Sequence, residues 1–246
     1  AQNESLASKI SKLKKELFSQ ETLDSVQWNE YAKLKLWEEK PLDVWDDLEV
    51  FYSKNTNKAV AAYSKKLANK IWYPNNDVKY LWLTRNLELN NEDLVYHKEY
   101  VSSYRTEDNS SKVVASLEEI ATREPTIYNK EMYIKYLLWN KSDFTLSQLD
   151  NIDPAEKYSN VAEEVAWFYY NKDNFVKAIA WSEYAKDMDV VVRLDWLYKT
   201  KQLDKLEKLY TKHIKNSPND DKVKTANEMD LDSLLYENMM KESTMS

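Results

Sequence analysis

Apolar residues recur at helical spacing along this chain, beginning near its N-terminal end. An apolar stripe with the spacing i, i+4, i+7 and i+11, opposite a face rich in lysine, consists of Leu6, Ile10, Leu13 and Leu17. The stripe predicts an amphipathic first helix. The next apolar pattern predicts a second helix over residues 24–39, with Trp37 among its buried side chains.

Polar turns divide the following residues into further helical segments. A helix is predicted to begin at Pro41, and others to cover residues 57–72, 77–89, 94–104, 112–124, 128–140 and 144–149. Asp153-Pro154 combines an N-cap residue with proline at the first helical position, so another helix is predicted to begin there. The polar stretch 106–111 is predicted to be a mobile loop.

The chain repeats its own pattern between residues 161 and 218. Residues 169–178 align with residues 197–206 at an offset of 28, and residues 140–144 resemble residues 171–175 at an offset of 31. Aromatic, aliphatic and polar turn positions coincide in these alignments. A period of this size, with helical spacing inside each unit, indicates stacked helix pairs.

One unit carries a family resemblance. Val165-Ala166-x-x-Tyr169, then Phe175-x-x-Ala178-Ile179, then Ala185, resembles a tetratricopeptide repeat. The next unit keeps the apolar positions and the closing proline of that pattern at Leu194, Leu197, Leu203, Leu206, Tyr210 and Pro218. Its spacing of 28 residues is shorter than the usual period of about 34. The family's glycine is absent, so the repeats are degenerate.

The resemblance implies an all-α fold, a right-handed α-solenoid of about 12–14 helices stacked as antiparallel pairs. Residues 1–246 would form a single domain. Within it, residues 1–40 are predicted to be N-terminal capping helices, residues 41–218 degenerate repeats, and residues 219–246 a C-terminal capping helix and tail. Asp230 is the predicted N-cap of that last helix.

The composition excludes several classes of protein. Glycine and cysteine are both absent, which excludes glycine-rich dinucleotide and phosphate loops, disulfides, thiolate metal sites and cysteine nucleophiles. The net charge of −7 disfavours nucleic acid as a partner and favours basic ones. No apolar run is long enough to span a membrane. The start Ala1-Gln2-Asn3 is typical of a mature chain after signal removal, so we expect a periplasmic or secreted protein, with the cytoplasm as the alternative.

Candidate catalytic residues are few. His97 and His213 share no motif, and neither has a second histidine at i+3 or i+4, so no metal site is predicted. The 42 carboxylates read mostly as solvated faces balanced by lysine. We therefore expect no catalytic residues, no metal and no cofactor.

Aromatic residues are the unusual excess, with nine tryptophans and eighteen tyrosines. Most are expected to fill interfaces between helices. In the family that the repeats resemble, the first helix of each pair lines a concave surface. The resemblance therefore implies that a partner-binding surface is formed by Asn160, Glu163, Trp167, Tyr170, Asn171, Asp195, Tyr198 and Lys199.

The leading hypothesis is a non-enzymatic scaffold that binds a segment of a partner protein in its concave groove, in the assembly or export machinery of a bacterial cell envelope. Exposed aromatic anchors would provide most of the binding energy. The first alternative is a polysaccharide-binding module of an export system, in which sugars stack on the same aromatic rings. A less favoured alternative is an enzyme of the helical toroid class.

Overall fold

The computed structural model describes residues 4–221, 223 and 240, and this part of the chain contains helices and no strand. Thirteen α-helices lie in the described residues: α1 (Leu6–Ser19), α2 (Ser25–Trp37), α3 (Asp43–Lys54), α4 (Lys58–Ala68), α5 (Asn76–Leu89), α6 (Leu94–Ser103), α7 (Ser110–Arg123), α8 (Ile127–Asn140), α9 (Asp143–Asp150), α10 (Ala162–Tyr170), α11 (Phe175–Ser182), α12 (Val190–Lys199) and α13 (Leu203–Asn216). The all-α prediction and the expected number of helices are confirmed. The predicted helix after Asp230 lies outside the described residues.

The helices pack mainly against their neighbours in sequence. The chain divides into two compact units, unit 1 (Ala1–Pro125) and unit 2 (Thr126–Ser246). Unit 1 contains α1 to α7, and unit 2 contains α8 to α13. Sequential packing is what a repeat array requires, whereas the superhelix itself and its hand stay predictions.

The core of unit 1 is aromatic. Trp28 is fully buried, and its ring lies edge-on or tilted to those of Phe18, Tyr31, Phe51 and Tyr63, with centroid separations of 5.5–6.3 Å. Such rings bury large apolar areas and gain a further 0.5–1.5 kcal/mol or so per pair. Most of the tryptophan and tyrosine excess in this unit therefore serves the core, as expected.

Unit 2 brings α10 and α11 together through small side chains. Ala162, Ala166 and Ala178 are fully buried there. Small residues at facing positions let two helix backbones approach closely, and the sequence pattern places Ala166 and Ala178 at such positions. Trp181 of α11 closes the other side of this core by stacking on Tyr158 at 6.1 Å.

Polar side chains define most helix starts. Asp24 accepts hydrogen bonds from the backbone N–H groups of Val26 and Gln27 at 2.9 and 3.2 Å, and Asn75 accepts one from Val78 at 2.9 Å. Each such cap satisfies a donor that the first turn leaves unpaired and contributes about 1 kcal/mol. These caps explain why the predicted helix boundaries lie close to the observed ones.

Several helix ends use the left-handed backbone region without glycine. Glu39, Lys141, Asp173 and Lys201 have φ angles of 61°, 54°, 60° and 56°. Residues other than glycine occupy this region at a cost, because Cβ crowds the following carbonyl oxygen. The absence of glycine therefore does not prevent glycine-type helix termini in this chain.

The turn after α10 closes with two backbone bonds. Asp173 N–H donates to the Tyr170 carbonyl at 3.0 Å, and Asn174 N–H donates to the Tyr169 carbonyl at 2.9 Å. This pair of bonds is a Schellman motif. Asn174 then caps α11 by accepting from Lys177 N–H at 3.3 Å.

The turn after α12 has the same construction 28 residues later. Lys201 N–H donates to the Tyr198 carbonyl at 3.0 Å, and Gln202 N–H donates to the Leu197 carbonyl at 2.9 Å. All four positions lie 28 residues after their counterparts. The offset in the sequence is thus also an offset between two equivalent turns.

The predicted helix at Pro154 is wrong beyond its first turn. Asp153 does cap the segment, but Pro154–Glu156 forms only one turn of 3-10 helix. Lys157 adopts a left-handed φ of 66°, and its N–H donates to the Pro154 carbonyl at 3.1 Å. This closed turn ends the segment, and α10 begins at Ala162.

The predicted burial of Trp37 is also wrong, because its side chain is 64% exposed. Trp28 occupies the core position of α2, and Lys33 Nζ lies 5.2 Å from the centroid of the Trp37 ring. The stretch 106–111, predicted as a loop, overlaps the start of α7 at Ser110. Its Asn109 is buried, and its amide donates to Tyr100 Oη at 3.0 Å.

Candidate functional site

Unit 2 carries an open groove of about 830 Å³ between the end of α8 and the outer side of α10. The residues that line it are Leu138, Lys141, Asn160, Glu163, Glu164, Trp167, Phe168, Asn171 and Lys172. The α10 residues fall into two adjacent rows with i, i+4 spacing, which places them on one side of that helix. One helix thus supplies a nearly continuous wall of the groove.

Four of the eight predicted binding residues line this groove: Asn160, Glu163, Trp167 and Asn171. Trp167 is 36% exposed, so part of its ring is available to a ligand. The Asn160 amide donates to Oε1 of the buried Glu131 at 3.4 Å, which holds this loop residue at the start of α10. The groove therefore combines an aromatic ring with polar groups.

An aromatic cluster supports Trp167 from behind. The Trp167 ring meets the edge of the buried Trp196 ring at 4.9 Å and lies 5.6 Å from Tyr170. Tyr170 is half-buried and stacks on Trp196 at 4.5 Å, with 7° between the ring planes. Because its position is fixed by packing, Trp167 is a rigid anchor.

The other predicted residues lie beside this cluster and do not line the groove. Lys199 Nζ lies 2.9 Å from an Asp195 carboxylate oxygen and donates to Tyr170 Oη at 3.3 Å. The hydrogen bond to Asp195 raises the pKa of the Lys199 ammonium. Tyr198 is half-buried. Asp195 and Lys199 thus fix the Tyr170 side of the cluster, so their contribution to the groove is indirect.

Five residues of the groove are absent from the predicted set: Leu138, Lys141, Glu164, Phe168 and Lys172. Glu164, Phe168 and Lys172 form the second i, i+4 row of α10, so a wider helical face would have included them. Leu138 and Lys141 come from α8 and its C-terminal turn. No local pattern places them beside α10.

The charged side chains of the groove are mostly unpaired. Glu163, Glu164 and Lys141 make no ion pair or side-chain hydrogen bond with the described residues, and Lys172 Nζ lies 5.2 Å from the Phe168 ring. By contrast, lysines elsewhere in unit 2 are often paired, as Lys130 is with Glu156 at 2.7 Å. The groove thus offers free carboxylates near the start of α10 and free ammonium groups near its end.

The histidines have structural partners. His97 is buried, with Nε2 2.7 Å from the Asn91 carbonyl and Nδ1 3.0 Å from Ser116 Oγ. A carbonyl only accepts, so Nε2 carries the proton and the Ser116 hydroxyl donates to Nδ1. His213 Nε2 lies 3.0 Å from an Asp220 carboxylate oxygen. Within the described ranges, no three metal-binding side chains are grouped as a metal site requires.

None of the helices in the described part of the chain has the length and apolar character that crossing a bilayer demands. Searches against known protein families, curated protein sequences and solved structures gave no significant match to this chain.

Proposed function

We propose that this chain binds a segment of a partner protein in the groove between α8 and α10. The observation that carries the proposal is the joint presence of a partly exposed, rigid Trp167 and unpaired charges of both signs along one groove. Charged side chains that make no internal pair are available to a ligand at little cost. A packed aromatic ring at the centre is the usual anchor of a peptide site.

The order of the groups along α10 suggests the order of groups in the ligand. Glu163 and Asn171 are eight residues apart, which is about 12 Å at a helical rise of about 1.5 Å per residue. An extended peptide covers that length in about four residues at roughly 3.3 Å each. The expected segment therefore has a basic residue over Glu163 and Glu164, apolar residues over Trp167 and Phe168, and an acidic residue near the lysines.

The finer architecture belongs to the same proposal. The helices would continue as a right-handed solenoid of tetratricopeptide type, with the groove on its concave wall. The role would be binding without catalysis, in the assembly or export of cell-envelope components. Sequential packing and the repeated turn after α10 and α12 support this arrangement.

The test is selection from a random peptide display library on the intact protein, followed by affinity measurement. Peptides with the basic, apolar, acidic order are expected. Trp167→Ala should weaken their binding by 30-fold or so, as loss of an aromatic anchor does. Trp72→Ala removes an 86% exposed tryptophan of unit 1 and is the matched control, with no expected change.

A second variant separates binding from folding. Glu164 is exposed and makes no internal pair, so Glu164→Lys should leave the fold intact while selecting peptides with an acidic first residue. The proposal is wrong if no peptide is selected, or if selected peptides bind both variants as tightly as the parent chain.

A sugar chain is the second candidate ligand, favoured by the exposed part of the Trp167 ring beside the Asn160 and Asn171 amides and the Glu163 carboxylate. Sugars stack on such rings and bond to such polar groups. A glycan array distinguishes the two ligands. Saturable binding that Trp167→Ala abolishes, together with no peptide selection, would replace the peptide with a glycan.

A further inference from the structure

A second cavity of unit 2 lies against α11, α12 and α13 and encloses about 210 Å³. Its apolar wall consists of Ile179, Leu197 and Leu209. Its charged lining consists of Glu183, Arg193, Lys205, Lys208 and Lys212. Four cations thus face one carboxylate, in a chain whose overall charge is negative.

Arg193 is the unusual member of this lining. The residue is partly buried, and its Nε is a buried donor without a hydrogen-bond partner. Its guanidinium makes no ion pair with the described residues, and burial lowers its pKa while the charge of Glu183 opposes that effect. A desolvated, unpaired guanidinium is costly, because it loses hydration without gaining hydrogen bonds. Unsatisfied buried donors are rare and require an explanation.

The α13 lysines add to the positive charge on the same side. Lys205, Lys208 and Lys212 are spaced i, i+3 and i+7, so they share one face of α13. Lys205 Nζ lies 3.1 Å from a Glu183 carboxylate oxygen, which neutralises that carboxylate. Lys208 and Lys212 are exposed and make no ion pair with the described residues. The positive charge of the cavity is therefore uncompensated.

We propose that this cavity binds a small phosphate- or sulfate-bearing molecule. The planar guanidinium of Arg193 would donate from Nε and one terminal nitrogen to two oxygens of the anion, the geometry that arginine favours for such groups. Lys208 and Lys212 would hold the anion as point charges from the solvent side. The walls formed by Ile179, Leu197 and Leu209 would accept a short apolar substituent. The volume suits one such molecule and excludes a polymer.

This site is independent of the groove, since the two share no lining residue. Failure of peptide or glycan binding therefore leaves it standing, and the reverse also holds. Trp167→Ala should have no effect on anion binding.

The experiment is a titration of the intact protein with inorganic phosphate and with sulfate, followed by NMR shifts of backbone amides at constant ionic strength set with chloride. Saturable shifts are expected at Ser182, Arg193 and Lys208 with either anion. Arg193→Gln should weaken the affinity at least tenfold. Lys208→Gln, at an exposed position, should weaken it about threefold, the size expected for one lost surface charge contact. Lys186→Gln, at an exposed lysine outside the cavity, is the matched control and should bind as the parent does.

A ligand-binding arginine also has a signature in the free protein. Replacing Arg193 with methionine keeps the length of the side chain and removes the unpaired charge, so the thermal midpoint without anion should stay the same or rise. The proposal is overturned if the shifts do not saturate, if chloride alone reproduces them, or if Lys208→Gln and Arg193→Gln bind phosphate as the parent does.

Discussion

At the scale of single residues, the unusual feature is a chain without glycine that still places residues in the left-handed region. Lys201 after α12 and Asp173 after α10 hold equivalent positions of two equivalent turns. Each turn joins a helix pair, so its geometry sets how the next helix leaves. The backbone bonds of the Schellman motif offset the local strain in both turns.

Replacing Lys201 with glycine should therefore stabilise the protein. Its φ of 56° costs lysine about 1 kcal/mol relative to glycine, and glycine gives back part of this gain through the greater freedom of the unfolded chain. We expect the free energy of unfolding to rise by about 0.5 kcal/mol, measured by urea denaturation. Asp173→Gly should act in the same direction.

The control is Glu207→Gly, at an exposed position inside α13 with ordinary helical geometry. Glycine there should lower the free energy of unfolding by about 0.5–1 kcal/mol. Equal destabilisation by all three substitutions would mean that the left-handed geometry carries no strain that glycine relieves.

At the scale of elements, Asp150 connects three helices of unit 2. The Tyr169 hydroxyl of α10 donates to Asp150 Oδ1 at 2.6 Å, and Lys177 Nζ of α11 lies 2.9 Å from the same oxygen. Lys177 also lies 5.2 Å from the centroid of the Tyr169 ring. Asp150 ends α9, so one carboxylate joins the end of one helix to the two helices that follow.

This arrangement predicts a dependence of stability on acid pH. The hydrogen bond from Tyr169, aided by Lys177, lowers the pKa of the Asp150 carboxyl. A group whose pKa is lowered by folding stabilises the protein above its unfolded pKa, about 3.9, and loses that contribution as the pH falls through the folded pKa. Because the side chain is half exposed, the contribution at pH 7 should be at most about 1 kcal/mol. Asp150→Asn should therefore be less stable than the parent at pH 7 and nearly equal to it at about pH 2, measured by urea denaturation.

Asp187→Asn is the control, at an exposed carboxylate that makes no hydrogen bond or ion pair with the described residues. It should leave the pH dependence of the parent unchanged. A constant difference between Asp150→Asn and the parent at all pH values would show that the carboxylate charge has no part in the contact.

The sequence predicts what local rules determine. Helical periodicity and polar caps fix most elements, and the α10 face yields Glu163 and Trp167 because one helix determines which residues share a side. The rest depends on contacts between helices that are distant in sequence. Lys141 reaches the groove from α8, and Tyr170 turns inward because Trp196 of α12 provides a stacking surface. No period in the chain specifies those contacts.

At the scale of the whole molecule, the described helices separate into two compact units, whereas the sequence predicts a single array over residues 1–246. The two views differ in how local damage spreads. In a repeat array, each unit depends on its neighbours, so a defect weakens adjacent helices progressively. In two independent units, a defect is confined to the unit that carries it.

Core substitutions in each unit distinguish these cases. Leu48 of α3 and Leu137 of α8 are both fully buried, so replacing either with alanine should cost about 2–5 kcal/mol through lost burial and a residual cavity. Amide hydrogen exchange of the intact variants, followed peptide by peptide, measures where protection is lost. We expect Leu48→Ala to expose amides of α1 to α7 alone, and Leu137→Ala those of α8 to α13 alone, because few contacts join the two units. Loss that declines smoothly along the chain across Pro125 would instead support the continuous array, and equal loss everywhere would show one cooperative domain.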